Sequence, residues 1–356
     1  MKSSQDNKIR TRRSLRCCLC GTEGEQLYVG LADVLLGVPL RWTMKRCGNH
    51  ECRLLWLDPT PVVEDIPRLY AGYHTHTINR PMPGWMTRLL ERLEDSVITA
   101  AFGYHDTQIP LVWQWLGRLL AGSATLRERL GEPVLWQHGA TRGRILDVGC
   151  GSGRVLAKMR RFGWETTGVE PDPAAANIAR EQLGLDVRQG NLEEADLPPG
   201  SFDLVSLNSV IEHLPYPVAT LRRCAELVAP GGVVVVATPN TASFGHCRFG
   251  ADWRGLEIPR HLHLFNPANI AMAAEQAGLR VEAVTTLIKG AAYILAMSDQ
   301  MHRVRKSGRQ NSTHDYLISR VWQNWPQLIL YELRAWKARS ADPLCGEELL
   351  LVARRD

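Results

Sequence analysis

The sequence predicts an α/β protein: a doubly wound, mainly parallel sheet carrying a small N-terminal metal module and helical additions. Three observations lead to that class. The stretch Arg144-Ile-Leu-Asp-Val-Gly-Cys-Gly-Ser-Gly-Arg154 runs from an apolar segment through a glycine-rich turn into a helical pattern. Downstream of it, apolar runs and helical periods alternate, as strands and crossover helices of one sheet do. Upstream, cysteines gather in two short-loop pairs.

The 356 residues exceed what one core usually holds, so more than one unit is expected. The net charge is +5. Lys2, Lys8, Arg10, Arg12, Arg13 and Arg16 against Asp6 account for that whole excess, and residues 1–16 read as a basic, disordered, solvated tail. With the basic charge confined there, nucleic acid is an unexpected partner. No secretory h-region opens the chain, and no run approaches the roughly 18 apolar residues of a transmembrane segment. Nine cysteines without a secretion signal point to a reducing, cytoplasmic setting and to metal or free thiols.

Residues 17–69 read as a zinc ribbon. Cys17-x-x-Cys20 and Cys47-x4-Cys52 form two knuckles, joined by a hairpin pattern of Leu27-Tyr-Val and Leu40-Arg-Trp-Thr-Met. Four thiolates placed tetrahedrally would hold a structural Zn²⁺ and leave no open position for chemistry. Cys18 and His50 are rival ligands, since one duplicates the first knuckle and the other lies inside the second.

Residues 70–143 form a helical connecting or cap segment. Tyr70-Ala-Gly-Tyr-His-Thr-His-Thr77 crowds aromatic and imidazole groups, and Tyr73, His74 and His76 are candidates to touch ligands. Met86, Leu89, Leu90, Leu93 and Val97 mark one amphipathic helix, and Trp113, Trp115, Leu116, Leu119 and Leu120 a second.

From residue 144 the sheet begins. Ile145, Leu146 and Val148 have the composition of a buried strand, and Val155, Leu156, Met159 and Phe162 recur at helical spacing. Such a turn brings backbone N–H groups and a helix N-terminus up to a nucleotide-like ligand. Glu170, closing the next apolar run, can accept from both ribose hydroxyls. A dinucleotide fingerprint would need glycine at 154, where this chain has Arg. Further strands are expected over 186–191, 202–208, 232–238 and 280–287. Asp172-Pro173 is an N-cap with Pro at the first helical position, and a helix starts at Asn266-Pro267. Residues 288–347 read as a helical insertion, with patterns over 291–301 and 318–336, before a last strand over 348–354. Trp322, Trp325 and Trp336 give that insertion an amphipathic character.

The pattern Asp-x-Gly-x-Gly-x-Gly, with Asp147 and Glu170, resembles the first motifs of class I S-adenosylmethionine (SAM)-dependent methyltransferases. Gly190-Asn-Leu-Glu193 and Asn208-Ser-Val-Ile-Glu-His-Leu214 resemble the segments after the third and fourth strands, the latter in its ubiquinone-biosynthesis type. The resemblance implies a Rossmann-like sheet of seven strands, the last antiparallel, spanning 144–356. It implies S-adenosyl-L-methionine contacts at Asp147, Gly149, Cys150, Gly151, Gly153, Glu170, Pro171, Asn191, Leu192 and Asn208. Asn191 stands where the family commonly has Asp, which weakens the expected contact to the adenine amine. The cysteine module ahead of this fold is similar in arrangement to sugar C-methyltransferases, where Tyr70, Tyr73, His213, and His261 with Phe265 fall at comparable places. Arg260 departs from the acidic residue usual there.

Asp252-Trp-Arg-Gly-Leu-Glu-Ile-Pro-Arg-His-Leu-His-Leu-Phe265 lies at the carboxyl end of the sheet, where open α/β folds bind ligands. His261, then His213 and His263, are the expected bases, one with a near-neutral pKa removing the acceptor's proton. The expected activity is methyl transfer to a small-molecule acceptor: a sugar, polysaccharide, secondary-metabolite or lipid precursor. An RNA methyltransferase and a non-catalytic SAM-binding scaffold are the alternatives, and a homodimer is compatible with the helical insertion.

Overall fold

The computed structural model describes residues 9–70, 84–104, 109–307 and 314–356. Its N-terminal part holds five strands: β1 (Thr11–Arg12), β2 (Gly24–Leu31), β3 (Trp42–Cys47), β4 (Leu55–Leu57) and β5 (Thr60–Pro61). β2, β3 and β4 form an antiparallel meander, and β1 pairs with β5. The expected disordered tail is corrected from residue 9 onward. Ile9 is buried, and Arg10 grips the buried Asp65 carboxylate from Nε and Nη2 at 3.0 and 3.1 Å. The reason is electrostatic: a buried carboxylate is tolerated when a cation and hydrogen bonds satisfy it.

Three helices follow, α1 (Gly84–Phe102), α2 (Leu111–Ala121) and α3 (Ala124–Leu130). The apolar period of α1 is used only at its C-terminal half, where Val97 and Ile98 are fully buried. Gly117 of α2 lies against the Ser96 backbone, at 2.3 Å from a would-be Cβ, so the two helices touch closely.

The central sheet comprises β6 (Arg144–Val148), β7 (Glu165–Glu170), β8 (Asp186–Gln189), β9 (Phe202–Asn208) and β10 (Val228–Pro239). β12 (Arg280–Leu287) and β13 (Glu348–Arg354) complete it, while β11 (His263–Leu264) lies elsewhere. The strand order is β12-β13-β10-β9-β6-β7-β8, with β13 antiparallel to both neighbours and the other pairs parallel. This is the seven-stranded sheet the sequence predicts. Helices α4 (Arg154–Arg161), α5 (Pro173–Asn177), α6 (Pro217–Leu227), α7 (Phe244–Phe249) and α8 (Pro267–Gln276) accompany the strands. Ile145, Leu146, Val205, Leu207, Val234 and Val236 have no more than trace exposure, because a parallel strand covered on both faces buries every side chain. Asp172 caps α5 by accepting from the Ala174 N–H at 2.9 Å, as the Asp-Pro pair predicts.

The insertion carries α9 (Ala291–Lys306), α10 (His314–Gln323) and α11 (Trp325–Ala341). The apolar pattern over 318–336 read as one helix, and the structure divides it at Asn324, which has φ −113 and ψ 50. Pro326 supplies the reason: it lacks the N–H a continuous helix needs and is tolerated in a first turn.

Nothing in the sequence announces β11. It pairs antiparallel with β4, extending the N-terminal sheet to the order β11-β4-β3-β2. The loop after β10 is thereby built into the cysteine-bearing module.

Candidate active site and cysteine cluster

The glycine turn is shaped by what touches it. Gly149, Gly151 and Gly153 all adopt positive φ. A Cβ at 149 would come within 2.6 Å of Val210, and one at 153 within 2.4 Å of Leu185, whereas at 151 it would meet nothing within 4 Å. The turn therefore opens outward at Gly151 alone. There Glu170 accepts the Gly151 N–H at 2.7 Å on one oxygen and the Asp172 N–H at 2.8 Å on the other. Gly151, Glu170, Asn191 and Asn208 lie at or just beyond the carboxyl ends of strands β6, β7, β8 and β9, neighbours in the sheet, and so line one rim. Asn191 is exposed, Leu192 beneath it is buried, and Pro171 is exposed.

Not every expected contact faces that rim. Asp147 is 3% exposed and accepts the Ser206 hydroxyl at 2.6 Å, which braces β6 on β9. Burial pushes its carboxyl up to about 7. The Cys150 thiol is tucked under Gly168, so that residue offers its backbone to the rim. Asn208 donates from Nδ2 to Glu132 at 3.4 Å, and Glu132 also meets Lys289. A rim with an acidic acceptor, open glycine backbone and a helix N-terminus suits a nucleoside-bearing ligand such as S-adenosyl-L-methionine.

Beyond Asn208, the strand turns sharply at Ser209, a non-glycine residue with φ 57, into Ile211–His213. His213 and His261 meet edge to face with ring centroids 4.7 Å apart. Tyr70 closes on the same imidazole, its hydroxyl 2.9 Å from His213 Nδ1. The Arg260 carbonyl lies 3.1 Å from that nitrogen, and the Gly255 carbonyl 2.8 Å from His261 Nδ1. A carbonyl only accepts, so both rings carry their proton on Nδ1 and keep a lone pair on Nε2. The Glu212 carboxylate joins them: one ligand atom each from Glu212, His213 and His261 lies within 4.8 Å of the others, a set that could hold a divalent cation.

The electrostatics separate the two histidines. Burial, then the neighbouring His213, pushes His261 down to about 3, far from the near-neutral base that was expected. Burial also lowers His213, yet its side chain keeps 25% exposure against 5% for His261. Burial raises Glu212 to about 8, while Thr238 donates its hydroxyl to it at 2.8 Å. Glu257 is buried too, and the charges of Arg254 and Arg260 hold it well below the carboxylate range against that burial. His263 stands apart: its Nδ1 donates to the Leu214 carbonyl at 3.1 Å, and its strand pairs with Trp56. Tyr73, His74 and His76 lie outside the described residues.

Sequence reasoning passed over Glu212, Glu257 and Asp33. The first two sit inside stretches singled out for their histidines, but Asp33 carries no local signal. Its carboxylate receives the Arg260 guanidinium in a fork, at 2.8 and 3.1 Å, with both side chains fully buried.

Cys17, Cys20, Cys47 and Cys52 converge, their thiols within 4.8 Å of one another. The Cys17–Cys52 and Cys20–Cys47 sulfur separations are 3.6 and 3.3 Å. Zn–S bonds of about 2.3 Å in a tetrahedron require sulfurs about 3.8 Å apart, so the set fits zinc. Neither Cys18, which is exposed, nor His50 belongs to the cluster.

Sheet order, glycine turn and acidic residue at the end of the second sheet strand define a class I SAM-dependent methyltransferase. A methyltransferase domain family model matches residues 118–284. Ubiquinone biosynthesis O-methyltransferase of Xanthomonas euvesicatoria is 33% identical over 173 residues, covering 44% of this chain and 72% of that enzyme. Its counterpart in Xanthomonas axonopodis pv. citri is 33% identical over 157 residues, 41% of this chain and 66% of its own length. A SAM-dependent methyltransferase structure from Archaeoglobus fulgidus has a TM-score of 0.43 at 20% identity, covering 68% of this chain and 99% of that one. The chain belongs to the SAM-dependent methyltransferase family. Among the described residues no helix is long and apolar enough to cross a membrane.

Proposed function

We propose that this methyltransferase acts on a small-molecule acceptor bound between the 254–266 loop, Tyr70 and the helical insertion, with His213 as the base. The observation that carries this is the Tyr70–His213–His261 group, with the His213 Nδ1 proton directed at the Arg260 carbonyl and its side chain still one-quarter exposed. Its lowered pKa keeps the imidazole neutral at pH 7, so Nε2 is ready to take a proton from an acceptor hydroxyl, amine or acidic carbon. His261, nearly closed to solvent, orients the pair. SAM supplies a methyl group already activated on its sulfonium; the chain's part is to hold the donor along the β6–β9 rim and align the acceptor. Glu170 and the Gly149–Gly153 backbone are proposed for the donor's nucleoside, Asn191 and Leu192 for its adenine, and Asn208 for its methionyl end.

In this reading residues 17–69 are a structural zinc module, 70–143 a cap and 288–347 a lid. A four-thiolate zinc module needs reduced cysteines, and a cytoplasmic setting is proposed with it. Three tail arginines have partners on the protein itself: Arg10 pairs with Asp65, Arg12 lies 5.5 Å over the Tyr216 ring, and Arg16 meets Glu23. The test is [methyl-³H]SAM turnover against nucleotide-sugar, lipid-quinone and RNA pools, with His213→Ala beside wild type. Label in a small-molecule pool, lost in the variant while SAM binding persists, is expected. Label in RNA alone, or full turnover by His213→Ala, overturns it. No SAM binding in calorimetry favours the scaffold alternative.

A further inference from the structure

The loop that carries His261 is held from outside the methyltransferase sheet. The β4 residue Leu57 donates its N–H to the Leu262 carbonyl at 3.0 Å, and Trp56 and Leu55 pair with His263 and Leu264. The carbonyl of Cys52, a member of the cysteine cluster, accepts the side-chain amides of Asn266 and Asn269 at 3.0 and 2.8 Å. At the other end of the loop the Arg260 guanidinium forks onto Asp33, in the turn between β2 and β3. That carboxylate is itself immobilised, since the backbone N–H groups of Leu35, Leu36 and Val38 donate to it at 2.9, 3.1 and 3.2 Å. Arg260 also donates from Nε to Glu257 at 3.2 Å, and its own carbonyl accepts the His213 Nδ1 proton.

We infer that Asp33 is a positioning residue for methyl transfer: it fixes Arg260, and through the Arg260 carbonyl it sets the tautomer and orientation of His213. The chemistry favours this over simple glue. A fully buried charge pair is a poor source of net stability compared with an apolar pair of the same volume, but its fork fixes direction as well as distance. A planar guanidinium seated on a carboxylate, with every other lone pair of that carboxylate taken by backbone N–H groups, narrows the placements open to the 260 backbone. The cysteine module is thereby a working wall of the acceptor site, holding the residue that aims the base. The inference rests on His213 as that base, yet its structural half can be read separately.

The experiment uses the full chain with Asp33→Asn and, should that variant fail to fold, Arg260→Lys, which keeps the charge and loses the fork. Long-range ¹H–¹⁵N spectra of ¹⁵N-histidine-labelled protein report the His213 tautomer, calorimetry reports SAM affinity, and [methyl-³H]SAM turnover is read on whichever pool wild type labels. Expected are a His213 signal that shifts from the Nδ1–H form to a tautomer average, a SAM Kd within about twofold, and turnover lower by roughly 30- to 100-fold, the scale of a misplaced catalytic group. An unchanged His213 signal in a folded variant overturns the inference. A changed signal with His213→Ala fully active would overturn the base assignment instead and leave Asp33 as the residue that places it.

Discussion

Glu170 offers the sharpest test of the donor site. Both oxygens are already engaged, one by the Gly151 N–H at 2.7 Å and one by the Asp172 N–H at 2.8 Å, and the residue is 8% exposed. Glu170→Gln keeps the shape and removes the charge. One amide oxygen can still accept, but the NH₂ group must then face a backbone N–H, donor against donor. One charge-assisted bond of about 1.5–3 kcal/mol is lost, and the proposed ribose contact loses half its acceptor. Part of that loss falls on the turn itself, lowering Tm modestly. The remainder should raise the SAM Kd about 10- to 100-fold, or about 1.4–2.8 kcal/mol. Isothermal calorimetry with SAM measures it directly, and differential scanning fluorimetry of the free variant separates the folding share. A Kd within twofold of wild type would refute the assignment of Glu170 to the ribose and the reading of the open Gly151 rim with it.

Two further expectations follow from local geometry. Gly153→Ala combines φ 80 with a Cβ 2.4 Å from Leu185 and 3.0 Å from Ala179, and should cost about 2–4 kcal/mol in urea unfolding. Gly151→Ala, with φ 55 and open space around it, should cost about 1–2 kcal/mol, and the reverse ranking would contradict the described turn. His263 should make the fold acid-labile. Burial pushes it down to about 4, so the unfolded chain binds a proton between pH 6.5 and 4 that the folded chain refuses. Its contribution is complete above pH 6.5 and is lost as pH falls toward 4, by at most about 3 kcal/mol and less for a part-exposed residue. His263→Gln should flatten the pH dependence of urea midpoints across that window; an unchanged slope would assign the acid sensitivity to other groups.

Much of the central sheet was legible because its signals are local. Strands over 202–208, 280–287 and 348–354 were readable to the residue: the first and last are short apolar runs of covered strands, and 280–287 is a partly exposed edge strand bounded by Gly278 and Gly290. The glycine turn declared itself by positive-φ needs at 149, 151 and 153. The cysteine spacing named four thiols, and the chain brings those four together while leaving Cys18 outside. Legibility failed where long-range partners decide. Residues 9–16 read as a tail because the buried carboxylate that orders them, Asp65, is 55 residues away from Arg10. The break at Asn324 was hidden because the apolar period runs through it, although Pro326 was visible.

The three histidines show the division most clearly. The sequence by itself determined the fold class, the glycine turn proposed for the donor and the residue types available for proton transfer, because strand patterning, glycine conformation and motif spacing are encoded within a few residues of one another. It placed His261 ahead of His213 on motif position alone, without sight of their burial, because burial is a property of what other segments cover. Only the tertiary structure decided that. It closes His261 behind the loop, leaves His213 one-quarter exposed beside Tyr70, and draws in Asp33 from 227 residues away to anchor Arg260. A buried charge finds its partner by folding, not by spacing, and that is why the residue inferred to aim the base had no signature in the chain.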